Sequence, residues 1–319
     1  MEKDKGSFRL LLIIAVSALA FFSFVFYQSG KDHNQEISPK EIKSYAERLE
    51  DNASSGDADA MYALGYMYKT GDGAEKNYKK AVKLFKKARK AGNASASVNL
   101  ANMYRYGHGV EQSYKKALEL WEEAAAQGHA TAQFNLARAY YKGLGVERDY
   151  LKSGKYMSLS AKNGDQNAQG MIARYSRRCH ETRVGSRIYY DMRSCYLAAY
   201  SGDPIAMHAV GLSFYDGRFN QKIDYRSAFK WFEKSAVAGG AESQYYLSMF
   251  YDKGYGVEPS KVESYAWIGT GLAQKDYSVR MLRKAKRAKE VLHGQMSDEH
   301  RLEAEEKLKV YVEKYAAQK

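Results

Sequence analysis

The stretch GNASASVNLANMYRYGHGV at residues 92–110 returns 36 residues later as GHATAQFNLARAYYKGLGV at 128–146. GDADAMYALGYMYKTGDG stands before it at 56–73, and GGAESQYYLSMFYDKGYGV comes further along at 239–257. Gly56, Gly92, Gly128 and Gly164 are spaced by 36 residues; Gly202 and Gly239 open two further copies after 38 and 37. A fixed period of this size is the signature of units that stack on one another.

Aligning the copies exposes columns. Ala60, Ala96, Ala132, Ala168, Ala206 and Ser243 are all small. Four residues on stand Leu64, Leu100, Leu136, Ile172, Val210 and Leu247, then Gly65, Ala101, Ala137, Ala173, Gly211 and Ser248, and then a tyrosine column of Tyr68, Tyr104, Tyr140 and Tyr251. Offsets of four, five and eight place these residues on one face of a helix. A glycine pair closes that helix at Gly71/Gly73, Gly107/Gly109, Gly143/Gly145 and Gly254/Gly256, supplying the positive φ that stops it. A second helix carries the bulky column Phe85, Trp121, Met157, Cys195, Phe232 and Ile268. One such hairpin cannot bury its apolar side alone, so the pattern predicts an all-α fold: an α-solenoid of about six stacked helix-turn-helix repeats.

The composition agrees. Only 3 prolines stand against 26 glycines, which suits helices punctuated by glycine turns, and the repeat columns absorb many of the 28 tyrosines. The formal charge is +13, yet no nucleic-acid recognition motif accompanies it, and the basic residues scatter over predicted helix surface. No nucleic-acid partner is expected. A basic balance also suits anionic polysaccharide or lipid.

The columns resemble the Sel-one-like repeat family, relatives of the tetratricopeptide repeats. The resemblance is carried by Ala96, Leu100, Ala101 and Tyr104, by Gly107, Gly109 and Val110, and by Lys116, Ala117, Trp121, Ala124, Ala125 and Gly128. It spans 56–275, and Glu263 to Trp267 is similar to the family's terminal repeats. The fourth copy departs from it: its turn reads Cys179-His180-Glu181, with no glycine pair. The resemblance implies a right-handed superhelix whose groove binds another protein, without catalysis, cofactor or small-molecule substrate. Asn99 and Asn135 share one repeat position and Asn102, Arg138 and Arg174 another; by analogy with tetratricopeptide grooves they would line a concave face. Some cysteine-rich relatives are linked to β-lactam binding or hydrolysis, which makes an envelope hydrolase the alternative.

Outside the array, residues 10–27 (LLLIIAVSALAFFSFVFY) carry no charge and follow a short tail, 1–9, containing Lys3, Lys5 and Arg9. As a helix this run reaches about 27 Å, close to the hydrocarbon core. It is expected to be an uncleaved signal anchor in the inner membrane, crossing once, with the repeats in the periplasm and an envelope or secretion component as partner. A tether at 28–37 and a leading helix at 38–55 precede the array; capping helices at 276–319 follow it. Arg280, Arg283, Lys284, Lys286, Arg287 and Lys289 form a basic patch there, suited to anionic lipid or an acidic partner. Cys179 and Cys195 are the only cysteines and are candidates for a disulfide in an oxidising compartment, or for two buried thiols. With CxxC and HExxH spacings both absent, no metal site is expected.

Overall fold

The computed structural model describes residues 39–180, 183–184, 187–188, 191–217, 221–274 and 279–316. The predicted anchor at 10–27, with its tail and tether, lies outside the described residues. Among the described residues no helix is long and apolar enough to cross a membrane.

The described chain divides into two compact units, one of residues up to 103 together with Gly107–Glu111, the other of Tyr104–Tyr106 and everything from Gln112 onward. In the first unit, α1 (Pro39–Ser54) packs on α2 (Ala58–Thr70), α2 pairs with α3 (Tyr78–Lys90), and α4 (Ala94–Tyr106) follows. The second unit runs α5 (Tyr114–Ala126), α6 (Ala130–Lys142), α7 (Tyr150–Lys162), α8 (Gln166–His180), α9 (Met192–Ala198), α10 (Pro204–Asp216), α11 (Tyr225–Val237), α12 (Ala241–Lys253) and α13 (Lys261–Ala273). Within it, α6 pairs with α7, α10 with α11 and α12 with α13, and α5 packs on α6. α14 (Val279–Gln295) and α15 (Asp298–Tyr311) both lie on α13.

Local chemistry sets the hairpins. The second helices are capped by Asn77, Ser113, Asp149, Asp224 and Ser260, each accepting from the backbone N–H three residues on. A cap of this kind contributes about 1 kcal/mol. Each cap residue also donates its own N–H to the preceding helix, to the carbonyls of Tyr68, Tyr104, Tyr140, Phe214 and Tyr251 at 2.8–3.0 Å. That bond ties these five second helices to the same position of the helix before each.

The two turn glycines have different tasks. Gly107 and Gly143 end their helices in the left-handed region, at φ 71° and 73°. The second glycine meets the repeat before it: a Cβ on Gly109 would lie 2.6 Å from the Tyr78 carbonyl carbon, and one on Gly145 2.8 Å from that of Tyr114. Tyr78, Tyr114 and Tyr225, each at the start of a second helix, are thus landing points for the next repeat's turn.

Inside the units the bulky column is buried, with Phe85, Cys195, Phe232 and Ile268 fully enclosed and Trp121 and Met157 nearly so. The small column makes room for it. A Cβ on Gly65 would stand 2.9 Å from the Phe85 ring, and one on Gly211 2.6 Å from Phe232. Each large side chain so enclosed stabilises the stack by about 1.5–3 kcal/mol.

The fourth copy breaks the pattern. Its turn holds two two-residue strands, β1 (Arg183–Val184) and β2 (Arg187–Ile188), antiparallel with Arg183 opposite Ile188 and Val184 opposite Arg187. Its second helix, α9, has only 7 residues and runs on as a 3-10 turn, Ala199–Ser201. Ala173, expected to pack like Ala101 and Ala137, is exposed instead, because α8 turns Ala168, Tyr175 and Cys179 inward.

At the far end, Ala285, Leu292, Met296 and Ala304 cover Val262, Tyr265 and Ile268 of α13. Lys307 Nζ donates to Glu263 at 2.8 Å, the Tyr311 hydroxyl donates to the same carboxylate at 2.9 Å, and Tyr311 and Tyr315 pack on Trp267. This buries the face that a further repeat would otherwise cover.

Candidate functional site

The residues expected to line a groove sit on first helices, and each unit treats them differently. In the first unit Asn99 is buried, and its side chain serves the interior. Asn99 Nδ2 donates to the Ser95 carbonyl at 3.1 Å and to the Tyr62 hydroxyl at 3.3 Å, while Oδ1 accepts from Lys69 Nζ at 2.8 Å. The Lys69 ammonium also lies 4.7 Å from the centre of the Tyr66 ring. Burial lowers the Lys69 pKa and pushes the Tyr62 phenol up to about 12. Tyr62, Tyr66, Lys69 and Asn99 therefore form one polar-aromatic cluster knitting α2 to α4. Asn102, three residues on, is half-buried.

In the second unit Asn135 is buried on α6, while Arg138 is half-buried with its guanidinium 5.9 Å from the centre of the Phe134 ring. Arg174 on α8 is exposed. The expected ladder of equivalent polar groups is thus divided. The asparagines at the Asn99 position are buried, Asn102 and Arg138 are half-buried and Arg174 is exposed.

The side chains that sequence reasoning passed over are aromatic. Tyr215, Tyr245, Tyr246 and Met249 on α10 and α12 are all half-buried, with Tyr215 and Tyr246 edge-to-face at 5.6 Å. Burial, then the neighbouring Tyr215 and Glu242, push the Tyr246 phenol up to about 12. Tyr245 and Tyr246 occupy the repeat positions of Phe134 and Asn135, so the signal was present in the asparagine column itself and in the one before it.

Beneath these aromatics His208 is enclosed between Phe232 and Tyr246. Its Nδ1 lies 2.7 Å from Ser243 Oγ and its Nε2 3.5 Å from a Glu242 carboxylate oxygen. Ser243 is wholly buried, so substrate has no path to this hydroxyl.

Cys179 and Cys195 are joined by a disulfide between α8 and α9, and both are fully buried. That bond leaves no thiol to act as a nucleophile. Among the described residues no group of three His, Cys, Asp or Glu side chains is placed to hold a metal ion. Of the basic patch, Arg283, Lys284, Lys286 and Arg287 are exposed on α14; the Arg280 side chain lies outside the described residues. Lys289 folds back over the Tyr265 ring at 4.6 Å, beside a hollow of about 430 Å³ lined by Tyr265, Leu272, Lys286, Glu290 and His293.

Among proteins of curated function none matches the chain. Three solved structures are among those similar to it. A protective antigen of uropathogenic Escherichia coli with an SLR fold is 25% identical over 94% of this chain and 62% of that one, with a TM-score of 0.43. This chain therefore spans less than two thirds of that antigen's length. A Sel1 repeat protein from Oxalobacter formigenes is 32% identical over 40% of this chain and 96% of its own, at a TM-score of 0.37. An immunity protein from Pseudomonas aeruginosa is 20% identical over 75% of this chain and 83% of its own, at 0.31. A family model for the Sel1 repeat matches residues 58–93, 94–129, 130–165, 204–239 and 241–277, more than half the sequence and in register with the capped hairpins described above. The chain is a member of the Sel1 repeat family.

Proposed function

We propose that this protein is a membrane-anchored scaffold that binds an envelope or secretion component on the first-helix face of its repeats. Proteins built from Sel1 repeats are in general protein-interaction scaffolds. The observation that carries the reading for this chain is the half-buried side of α6, α10 and α12. There Phe134, Arg138, Tyr215, Tyr245, Tyr246 and Met249 stay half-open to solvent, although the same helices bury their opposite sides completely. Partly exposed aromatic, methionine and arginine side chains are the composition that protein interfaces favour. Membrane attachment is proposed from the uncharged run at residues 10–27, and a periplasmic array from the shortness of the tail before it.

The test is photo-crosslinking in the native cell. A crosslinker replacing Tyr246 or Arg138 should capture a defined partner, while one replacing Lys284, exposed on α14, should not. Equal capture at all three positions would reject this face. A reporter enzyme active only in the periplasm, fused after residue 37, checks the compartment; an inactive fusion rejects that assignment.

A further inference from the structure

The fourth repeat carries a feature that the scaffold reading leaves unused. Between Gln166 and Asp203 the chain holds six arginines and no lysine, with only Glu181, Asp191 and Asp203 as acids. No Sel1 match falls on this stretch. Lysine serves as well as arginine for a diffuse positive field. Arginine alone offers a planar fork that grips a carboxylate at two points.

Four of these arginines are described in full, and all four are exposed. Arg174, Arg177 and Arg178 follow at offsets of three and four on the outer side of α8, away from the buried Tyr175 and Cys179. Among the described residues none of the three makes an ion pair. One turn earlier Gly170 faces open space, so nothing crowds an approaching backbone. Arg193, on α9, lies 5.4 Å from the centre of the Tyr150 ring. Tyr141 bridges the two helices: its hydroxyl raises the Arg193 pKa, and it also adjoins Tyr175, which in turn sits beside Arg174 and Arg178. The disulfide from Cys179, the residue after Arg178, ties the helix bearing three of the cations to the helix bearing the fourth. Helices tied together in this way need less ordering when a partner binds.

We infer that the bound partner presents an acidic segment, and that its carboxylates dock on Arg174, Arg177, Arg178 and Arg193. This rests on the scaffold reading: α8 is the first helix of its repeat and exposes Arg174, Arg177 and Arg178, and Arg193 is exposed on the helix joined to it by the disulfide. A protein partner fits better than a phosphate-bearing one. Arginine and tyrosine are enriched, and lysine depleted, where proteins meet. The lysines that would suit a phosphate surface lie elsewhere, as on α14.

The test uses the full chain in detergent and a fluorescein-labelled, glutamate-rich peptide with a central tyrosine, read by fluorescence anisotropy. The glutamate peptide should bind, and its glutamine counterpart about tenfold more weakly or worse. Arg174→Ala/Arg177→Ala/Arg178→Ala should weaken binding by about tenfold, the lysine triple should restore only part of the loss, and Arg283→Ala/Lys284→Ala/Arg287→Ala on α14 should change nothing. An insensitive arginine triple, full rescue by lysine, or loss confined to the α14 variant would overturn the inference. So would tighter binding of phosphatidylglycerol vesicles or of single-stranded DNA through the same arginines. Native-cell crosslinks from Tyr246 that survive the arginine triple would sink this inference and leave the scaffold reading standing; no crosslink at all would remove the scaffold reading itself.

Discussion

The Nδ1 of His208 lies 2.7 Å from Ser243 Oγ, and the protons around that contact can be counted. The Ser243 hydroxyl donates to Ser235 Oγ, and Ser235 donates to the Pro204 carbonyl. Ser243 has no second proton, so it accepts from His208, which therefore carries its hydrogen on Nδ1 and turns a bare Nε2 toward Glu242. Burial holds the imidazole down at about 4 and raises the Glu242 carboxyl, moving each toward its neutral form.

A pH dependence of stability follows. The unfolded chain takes up a proton on His208 near pH 6.5, whereas the folded chain does so only near 4. Acidification through that window favours unfolding, by at most about 3 kcal/mol at its lower end. Glu242 works the other way, because its raised pKa lets the folded state bind a proton first. His208→Asn keeps a donor for Ser243 and removes only the imidazole titration. Wild type should therefore be the more stable protein above pH 7 and lose that margin progressively between pH 6.5 and 4.5. Urea denaturation of both proteins across this range measures it, and a margin that does not change with pH would refute the account.

The second turn glycine should be far less replaceable than the glycine that opens a repeat. Gly145 and Gly128 both have positive φ, at 70° and 82°, so alanine at either carries about 1–2 kcal/mol of backbone strain. A Cβ at Gly128 meets nothing within 4 Å, while at Gly145 it would press on the Tyr114 backbone. Gly145→Ala is expected to cost about 3 kcal/mol or more, and Gly128→Ala only its strain. Thermal denaturation of the two variants separates them, and equal losses would show that the turn does not seat on the preceding repeat.

Removing the cross-link should loosen the fourth repeat and leave the repeats around it folded. Cys179 and Cys195 are 16 residues apart, and closing a loop of that size stabilises by about 3 kcal/mol. Cys179→Ser/Cys195→Ser should speed hydrogen exchange in α8 and α9 while α12 and α13 keep their protection. Uniform loss of protection along the second unit would contradict a local role.

Much of this fold was legible because its determinants are local and repeated. The Phe85 and Phe232 columns, the facing glycines and the turn pairs recur at one spacing, so each copy checks the reading of the others. The fourth repeat escaped because it has no second copy: nothing in the sequence reveals that α8 rotates to bury Tyr175 and Cys179 and exposes Ala173. The candidate site was half legible. A repeated polar residue on a first helix reads as a surface group, and Arg138 and Arg174 are at the surface. Asn99 carries the same signature, but Tyr62 and Lys69, 37 and 30 residues away, draw it inward, and a contact across that distance leaves no trace in local pattern.

That division of labour gives the last prediction. Asn99 makes three internal contacts, so Asn99→Ala should act on stability, costing about 1–2 kcal/mol. Arg138, half-open over Phe134, makes no comparable set of bonds, so Arg138→Ala should shift stability by about 0.5 kcal/mol or less and weaken partner capture instead. Urea titrations and crosslinking yields from Tyr246 on the two variants form a crossed pair of measurements. If Asn99→Ala lowers capture without lowering stability, the asparagine belongs to the binding surface after all, and the arrangement of polar groups argued for the first unit is wrong.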